Sequence, residues 1–171
     1  MVSKGDGPVY FGTAETVLDD KNRVTVPRRF RETMDVLKHA VWFLARGFDR
    51  SISLFPHTEW NKIRKQANRY SSMNAQALDF RRLLFASATE VRPDRQGRIP
   101  IPSHLREYAG LEREAVLIGV DDHLELWSRH AWAGFQGEHD PEFKGMAAQL
   151  FAGDKKEVGN STEEGGENDE D

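Results

Sequence analysis

The 171-residue chain contains no cysteine. That absence excludes disulfides, thiolate zinc sites and cysteine nucleophiles, and it fits a cytosolic setting. No apolar run approaches the roughly 18 residues that span a bilayer. The opening MVSKGDGP has no apolar centre of the kind a signal peptide carries, so a membrane partner is not expected. Phosphate-binding glycine loops and Gly-x-Ser-x-Gly elbows are missing as well. His39, His57, His104, His123, His130 and His139 show no close ligand spacing, so neither a metal nor another cofactor is expected. No carboxylate pair stands out from the surface acids, and an enzyme is not expected either. Trp42, Trp60, Trp127 and Trp132 read as core.

Positive charge is in deficit, with a formal net charge of −4, yet it is concentrated. In LDDKNRVTVPRRFRE, residues 18–32, five of the eleven side chains from Lys21 to Arg31 are basic. The acidic excess lies at the other end. Residues 154–171 hold eight acidic and two basic side chains, a net of −6, so the rest of the chain is +2. This tail has almost no apolar residues and is expected to be disordered.

The chain also repeats itself. A shift of 75 residues sets Glu15 on Glu90, Asp19 on Asp94, Arg23 on Arg98, Pro27 on Pro102, Arg31 on Arg106, Glu32 on Glu107, Ala40 on Ala115 and Val41 on Val116. Removing three residues at RGFDRS restores the register further on, where Leu54 meets Leu126, Phe55 meets Trp127 and Trp60 meets Trp132. Each copy reads as a strand, a tight turn (DKN or RQG), a second strand with period-two alternation (RVTV or RIPI), a helix after Pro27 or Pro102, and two further strands. Asn22 and Gly97 hold equivalent turn positions and are the residue types that best accept positive φ. Ser128 is placed to cap a helix, and Asp140–Pro141 opens another that is expected to stop at Gly153. The expected organisation is a flexible 1–8, a first repeat over 9–56, a helical insertion over 57–86, a second repeat over 87–134, a C-terminal helix over 135–153 and the tail over 154–171.

The duplicated Asp-x-x-x-Arg at each turn, Asp19 with Arg23 and Asp94 with Arg98, carries two compatible readings. Each pair can be a salt bridge that clamps its turn, and an Asp can also hold an Arg in the orientation that a phosphate or guanine needs. The cluster Lys21, Arg23, Arg28, Arg29 and Arg31 corresponds in the second copy to Gln96, Arg98, Ser103, His104 and Arg106, so two of five basic residues persist. A solvated face would explain it. In a nearly neutral body, a nucleic-acid footprint explains it better.

VLDDKNRVTVPRRFRE, VRPDRQGRIPIPSHLRE and GLEREAVLIGVDDHLELWSRHAW together strongly resemble the MraZ family of bacterial transcriptional regulators, over roughly Tyr10 to Leu150. The resemblance implies an α+β fold: a tandem duplication of a swapped-hairpin AbrB-like unit, as in the AbrB/SpoVT/MazE group, forming an intrachain pseudo-dimeric β-barrel with flanking helices. It implies a repressor that binds double-stranded DNA at repeated operator elements ahead of the division and cell wall gene cluster. Assembly into a homo-oligomeric ring, in the cytoplasm and on the nucleoid, is implied with it. Carried over by position, the family's signature falls on Asp19, Lys21, Arg23, Asp94 and Arg98, and Arg28, Arg29 and Arg31 would anchor phosphates. Asn22 stands where the family has Gly. With Gln96 in the second turn, the first hairpin is expected to dominate DNA contact. The alternative is a MazE-like antitoxin, a toxin-binding module with secondary DNA binding.

Overall fold

The computed structural model describes residues 9–70 and 73–157, the last five by backbone alone. The expected flexible segment 1–8 and the tail beyond Glu157 lie outside the described residues. The chain divides after Trp132 into two units.

The boundary falls inside the helix Arg129–His139. The first copy runs β1 (Tyr10–Val17), β2 (Arg23–Thr25), α1 (Arg28–Leu37), β3 (Trp42–Arg46), β4 (Ile52–Pro56), α2 (His57–Ala67) and α3 (Ala75–Ser87). The second copy runs β5 (Thr89–Val91), β6 (Arg98–Pro100), α4 (Ser103–Ala109), β7 (Glu114–Asp121), β8 (His123–Ser128) and α5 (Arg129–His139). A single 3-10 turn, Asp140–Glu142, leads into α6 (Phe143–Glu157), which continues four residues past Gly153. The stretch expected as an insertion, 57–86, is α2 with most of α3. Yet α2 has its counterpart in α5, as the match of Trp60 to Trp132 implied, and α6 follows α5 as α3 follows α2. Both copies therefore close with two helices. Both helices of the second pair were expected from Ser128 and Asp140–Pro141, but they were not matched to the first pair.

Local chemistry sets the boundaries. Pro27 supplies φ −57° at the entry to α1, and Pro102 supplies φ −58° at the entry to α4. Phe30 and Met34 form the buried stripe of α1. That helix stops at Lys38 in the left-handed region, where the Lys38 and His39 amides donate to the Asp35 and Met34 carbonyls. Gly110 ends α4 in the same way. The hydroxyl of Ser128 accepts from the Ala131 amide at the start of α5.

Strands are exchanged between the copies. One six-stranded antiparallel sheet has the order β1-β7-β8-β4-β3-β5. The first strand of copy one thus lies on the hairpin of copy two, and β5 lies on the hairpin of copy one. A separate two-stranded ribbon pairs β2 with β6. The registers show an approximate twofold axis: Val24 faces Ile99 in the ribbon, and Ser53 faces Glu125 where β4 meets β8. Around that axis, Leu18, Val24, Val26, Phe30, Trp42, Leu44, Ile52, Leu54, Ile99, Leu105, Leu117, Leu124 and Leu126 form one buried core. The full cluster takes ten buried residues from each copy.

The expected barrel is not closed by hydrogen bonds. β1 and β5 end the sheet, and no ladder joins them among the described residues. The reason lies in β2 and β6, which turn away from their partners after tight turns and pair with each other over only three residues.

Candidate nucleic-acid interface

Each end of the ribbon carries one turn. In turn one, Asp19 Oδ1 accepts from the Lys21 and Arg23 amides at 2.9 Å each, and Oδ2 accepts from Arg23 Nε at 2.8 Å, with Nη2 at 2.7 Å. Turn two repeats this atom for atom. Asp94 Oδ1 accepts from the Gln96 and Arg98 amides, and Oδ2 from Arg98 Nε at 2.6 Å. Asn22 at φ 56° and Gly97 at φ 74° take the positive φ that the turns require. The turns are tied across the axis as well: the Val26 amide donates to the Gly97 carbonyl and the Ile101 amide to the Asn22 carbonyl.

One carboxylate therefore performs two tasks: it folds the turn through backbone amides and fixes the guanidinium through Nε. Its hydrogen bonds to Arg23, side chain first and then amide, hold the Asp19 carboxyl at a pKa of about 2, and Asp94 is lowered by the equivalent bonds to Arg98. Both shifts favour the ionised carboxylate. The Arg23 side chain keeps 24% of its surface exposed. An oriented, half-buried arginine has lost much of its conformational freedom before meeting a ligand.

The remaining candidates separate into different environments. Lys21 is exposed at the first turn with no side-chain partner among the described residues. Arg28, with 84% of its side chain exposed, pairs only with Glu32 at 2.8 Å. Arg29 folds back on β1: its Nη2 donates to the Phe11 carbonyl at 2.8 Å, and its guanidinium lies 5.5 Å from the Phe11 ring centre and 5.4 Å from that of Phe30. The space it fills exists because residue 12 is glycine, whose missing Cβ would collide with the guanidinium. Arg31 lies against Gly97 and points Nη1 at the Gln96 carbonyl, 3.4 Å away, so it touches the turn of the other copy. The structure thus brings Asp19 to Arg23 and Asp94 to Arg98, sets Arg31 on the second turn and spends Arg29 on packing. Arg95, exposed at the tip of turn two, was absent from the sequence-based candidates. Comparing basic residues turn by turn, rather than position by position, would have found it.

Comparison with known proteins follows this duplicated geometry. The family model described as "MraZ protein, putative antitoxin-like" matches twice, over residues 9–83 and 84–152. The chain belongs to the MraZ family. Proteins named "Transcriptional regulator MraZ" align along most of it. That of Thermomicrobium roseum is 42% identical over 73% of this chain and 85% of its own. That of Corynebacterium urealyticum is 40% identical over 84% and 98%, and that of Thermobifida fusca 35% over 85% and 99%. The boundary between the two MraZ matches falls inside α3, so each match takes in one strand-exchanged half and the helices that close it.

Proposed function

We propose that the chain is a sequence-specific, DNA-binding transcriptional regulator, a repressor that acts in the cytoplasm and on the nucleoid without a cofactor. Its ligand is double-stranded DNA carrying repeated operator elements ahead of the division and cell wall gene cluster. The observation that carries this reading is the pair of aspartate-clamped arginines, Arg23 and Arg98, held at the two ends of one ribbon. Oriented guanidinium groups suit bidentate contact with guanine O6 and N7 in the major groove, into which a two-stranded ribbon fits. The relatives' printed name supports the same reading.

Asp19 and Asp94 act as positioning residues, Lys21, Arg28 and Arg31 supply positive charge, and Arg29 holds α1 on β1. In the fold we propose, the ribbon lies against the six-stranded sheet and completes the pseudo-dimeric barrel through side-chain packing rather than backbone pairing.

One chain offers few contacts, and a ring of identical chains would place several ribbons on successive operator repeats. Support for association comes from uncovered apolar surface: Phe48, Tyr70 and Phe80 line an open groove of about 620 Å³ on α2 and α3, and Phe143, Leu150 and Phe151 of α6 are exposed.

The deciding experiment is a mobility shift with the DNA upstream of the chain's own gene, competed by random duplex. Retention of the specific complex in excess random DNA is expected. Equal competition by both duplexes overturns the reading. The family description's term "antitoxin-like" favours the second reading, a MazE-like toxin-binding module with secondary DNA binding. Co-purification of a stoichiometric small nuclease would support that reading.

A further inference from the structure

The sequence suggests that the first turn is the more basic. The fold redistributes that charge. Counted over the turns alone, Asp19–Arg23 holds two acids and two bases, whereas Asp94–Arg98 holds one acid and two bases. Two positions differ in charge: Asp20 in the first turn is matched by Arg95 in the second, and Lys21 by the neutral Gln96. Because β2 runs antiparallel to β6, it carries the chain away from turn one and starts α1 beside turn two. Arg28 and Arg31 of copy one are thereby delivered to the turn of copy two. Arg28, Arg31 and Arg95 line one open cleft of about 480 Å³, with Asp94 and Gly97 of the turn and Glu32 and Asp35 of the helix.

No acid of this cleft, Asp35 included, forms an ion pair with Arg95 among the described residues. Asp94 uses Oδ1 on the Gln96 and Arg98 amides and Oδ2 on Arg98 Nε. Glu32 takes Arg28. Arg95 has no ion-pair or hydrogen-bond partner among the described residues and is exposed. The contrast with its neighbour Arg98 is chemical. Arg98 is aimed by a carboxylate, as base readout demands, whereas an unaimed, fully hydrated guanidinium gains most from a diffuse ligand charge that it can meet in many geometries.

Resting on the proposed DNA binding and deepening it, we infer that Arg95 is a phosphate-backbone anchor of the second turn, at the mouth of a cleft that both copies build. Arg98 then reads sequence from the same turn, and Arg95 sets its register on the duplex. The second turn, not the first, carries the larger electrostatic share of binding.

The test uses the full chain and Arg95→Ala, Arg95→Lys and Lys21→Ala variants. Each is titrated with the duplex upstream of the chain's own gene and with a random duplex at several salt concentrations. Arg95→Ala should weaken binding to both duplexes by a similar factor and reduce the slope of log affinity against log salt by about one for each engaged chain. Arg95→Lys should restore the slope, and Lys21→Ala should lower it less than Arg95→Ala does. An unchanged slope in Arg95→Ala overturns the inference, and so does a loss confined to the specific duplex, which would make Arg95 a base reader. Failure of the unsubstituted chain to bind either duplex would instead overturn the proposed function itself.

Discussion

At the scale of single residues, the aspartate clamp separates two properties that usually move together. Arg23 holds no part of the core, so Arg23→Ala should leave thermal stability within the range of surface substitutions, about 0.5 kcal/mol. Its loss should remove about 1–3 kcal/mol of discrimination for the specific duplex, roughly a 5- to 150-fold drop in affinity. Asp19→Ala should damage both, because the same carboxylate accepts the Lys21 and Arg23 amides that shape the turn. Mobility shifts and thermal scans on the two variants check this; undiminished specific affinity in Arg23→Ala would refute the assignment. A different titration is set by His123, the first residue of β8. Burial against Phe55 disfavours its protonated form, but hydrogen bonds to Glu125 and Asp122 outweigh this and raise its pKa. A raised folded-state value contributes stability that is complete below the unfolded value of about 6.5 and is lost as pH rises through the folded value. The stability difference between the unsubstituted protein and His123→Gln should therefore be largest in mild acid and shrink in alkali, as followed by urea midpoints across pH. A pH-independent difference would remove the ion pair from the account.

At the scale of elements, the two turns are built alike from unlike residues, and this permits a controlled exchange. Gly97 sits at φ 74° and Asn22, its equivalent, at φ 56°. Gly97→Ala places a Cβ in the left-handed region, at a cost of roughly 1–2 kcal/mol, and also displaces the Arg31 side chain packed there. Gly97→Asn displaces Arg31 equally but is better suited to the backbone, so its urea midpoint should fall between those of Ala and Gly. An Asn variant as unstable as the Ala variant would show that Arg31 packing, not φ, decides the position. These turns were legible in the sequence because their signals are local: an acid four residues before an arginine, a positive-φ residue between, a proline after. The Ser128 cap of α5 was legible for the same reason. The exchange of β1 onto β7 was reached only through family resemblance, since pairing over a hundred residues of chain leaves no periodic trace. Arg29 looked like a free cation because nothing in RRF announces that Gly12 leaves room for a guanidinium. Arg31 looked like part of the first turn because sequence proximity hides the antiparallel step that takes it to the second.

At the scale of the whole molecule, strand exchange makes the two copies one folding unit. The first copy alone would expose the edge of β1 that β7 covers, the edge of β4 that β8 covers, and β2 without β6. Its core would be cut along the axis, since Val24 packs with Ile99 and Leu54 with Leu124 within a single cluster. Each fully buried leucine left open to water forfeits on the order of 2 kcal/mol, against a typical total stability of only about 5–15 kcal/mol. Unpaired strand edges add a template for wrong association. Residues 9–83 and 84–157, expressed separately, should therefore each fail to form a folded monomer. Expressed together, they should recover a one-to-one complex, because every exchanged pairing can form without the covalent link at α3. Size-exclusion chromatography with light scattering and near-ultraviolet circular dichroism would show the recovery as one species of intact-chain mass per pair, with the native aromatic signal of the packed Trp42. A folded, monomeric 9–83 fragment would contradict the exchange, since it could arise only if β1 returned to its own hairpin. Such a return would take β2 away from β6 and separate Arg23 from Arg98, so a fragment that folded in this way should also lose the two-turn geometry on which the proposed recognition of the duplex rests.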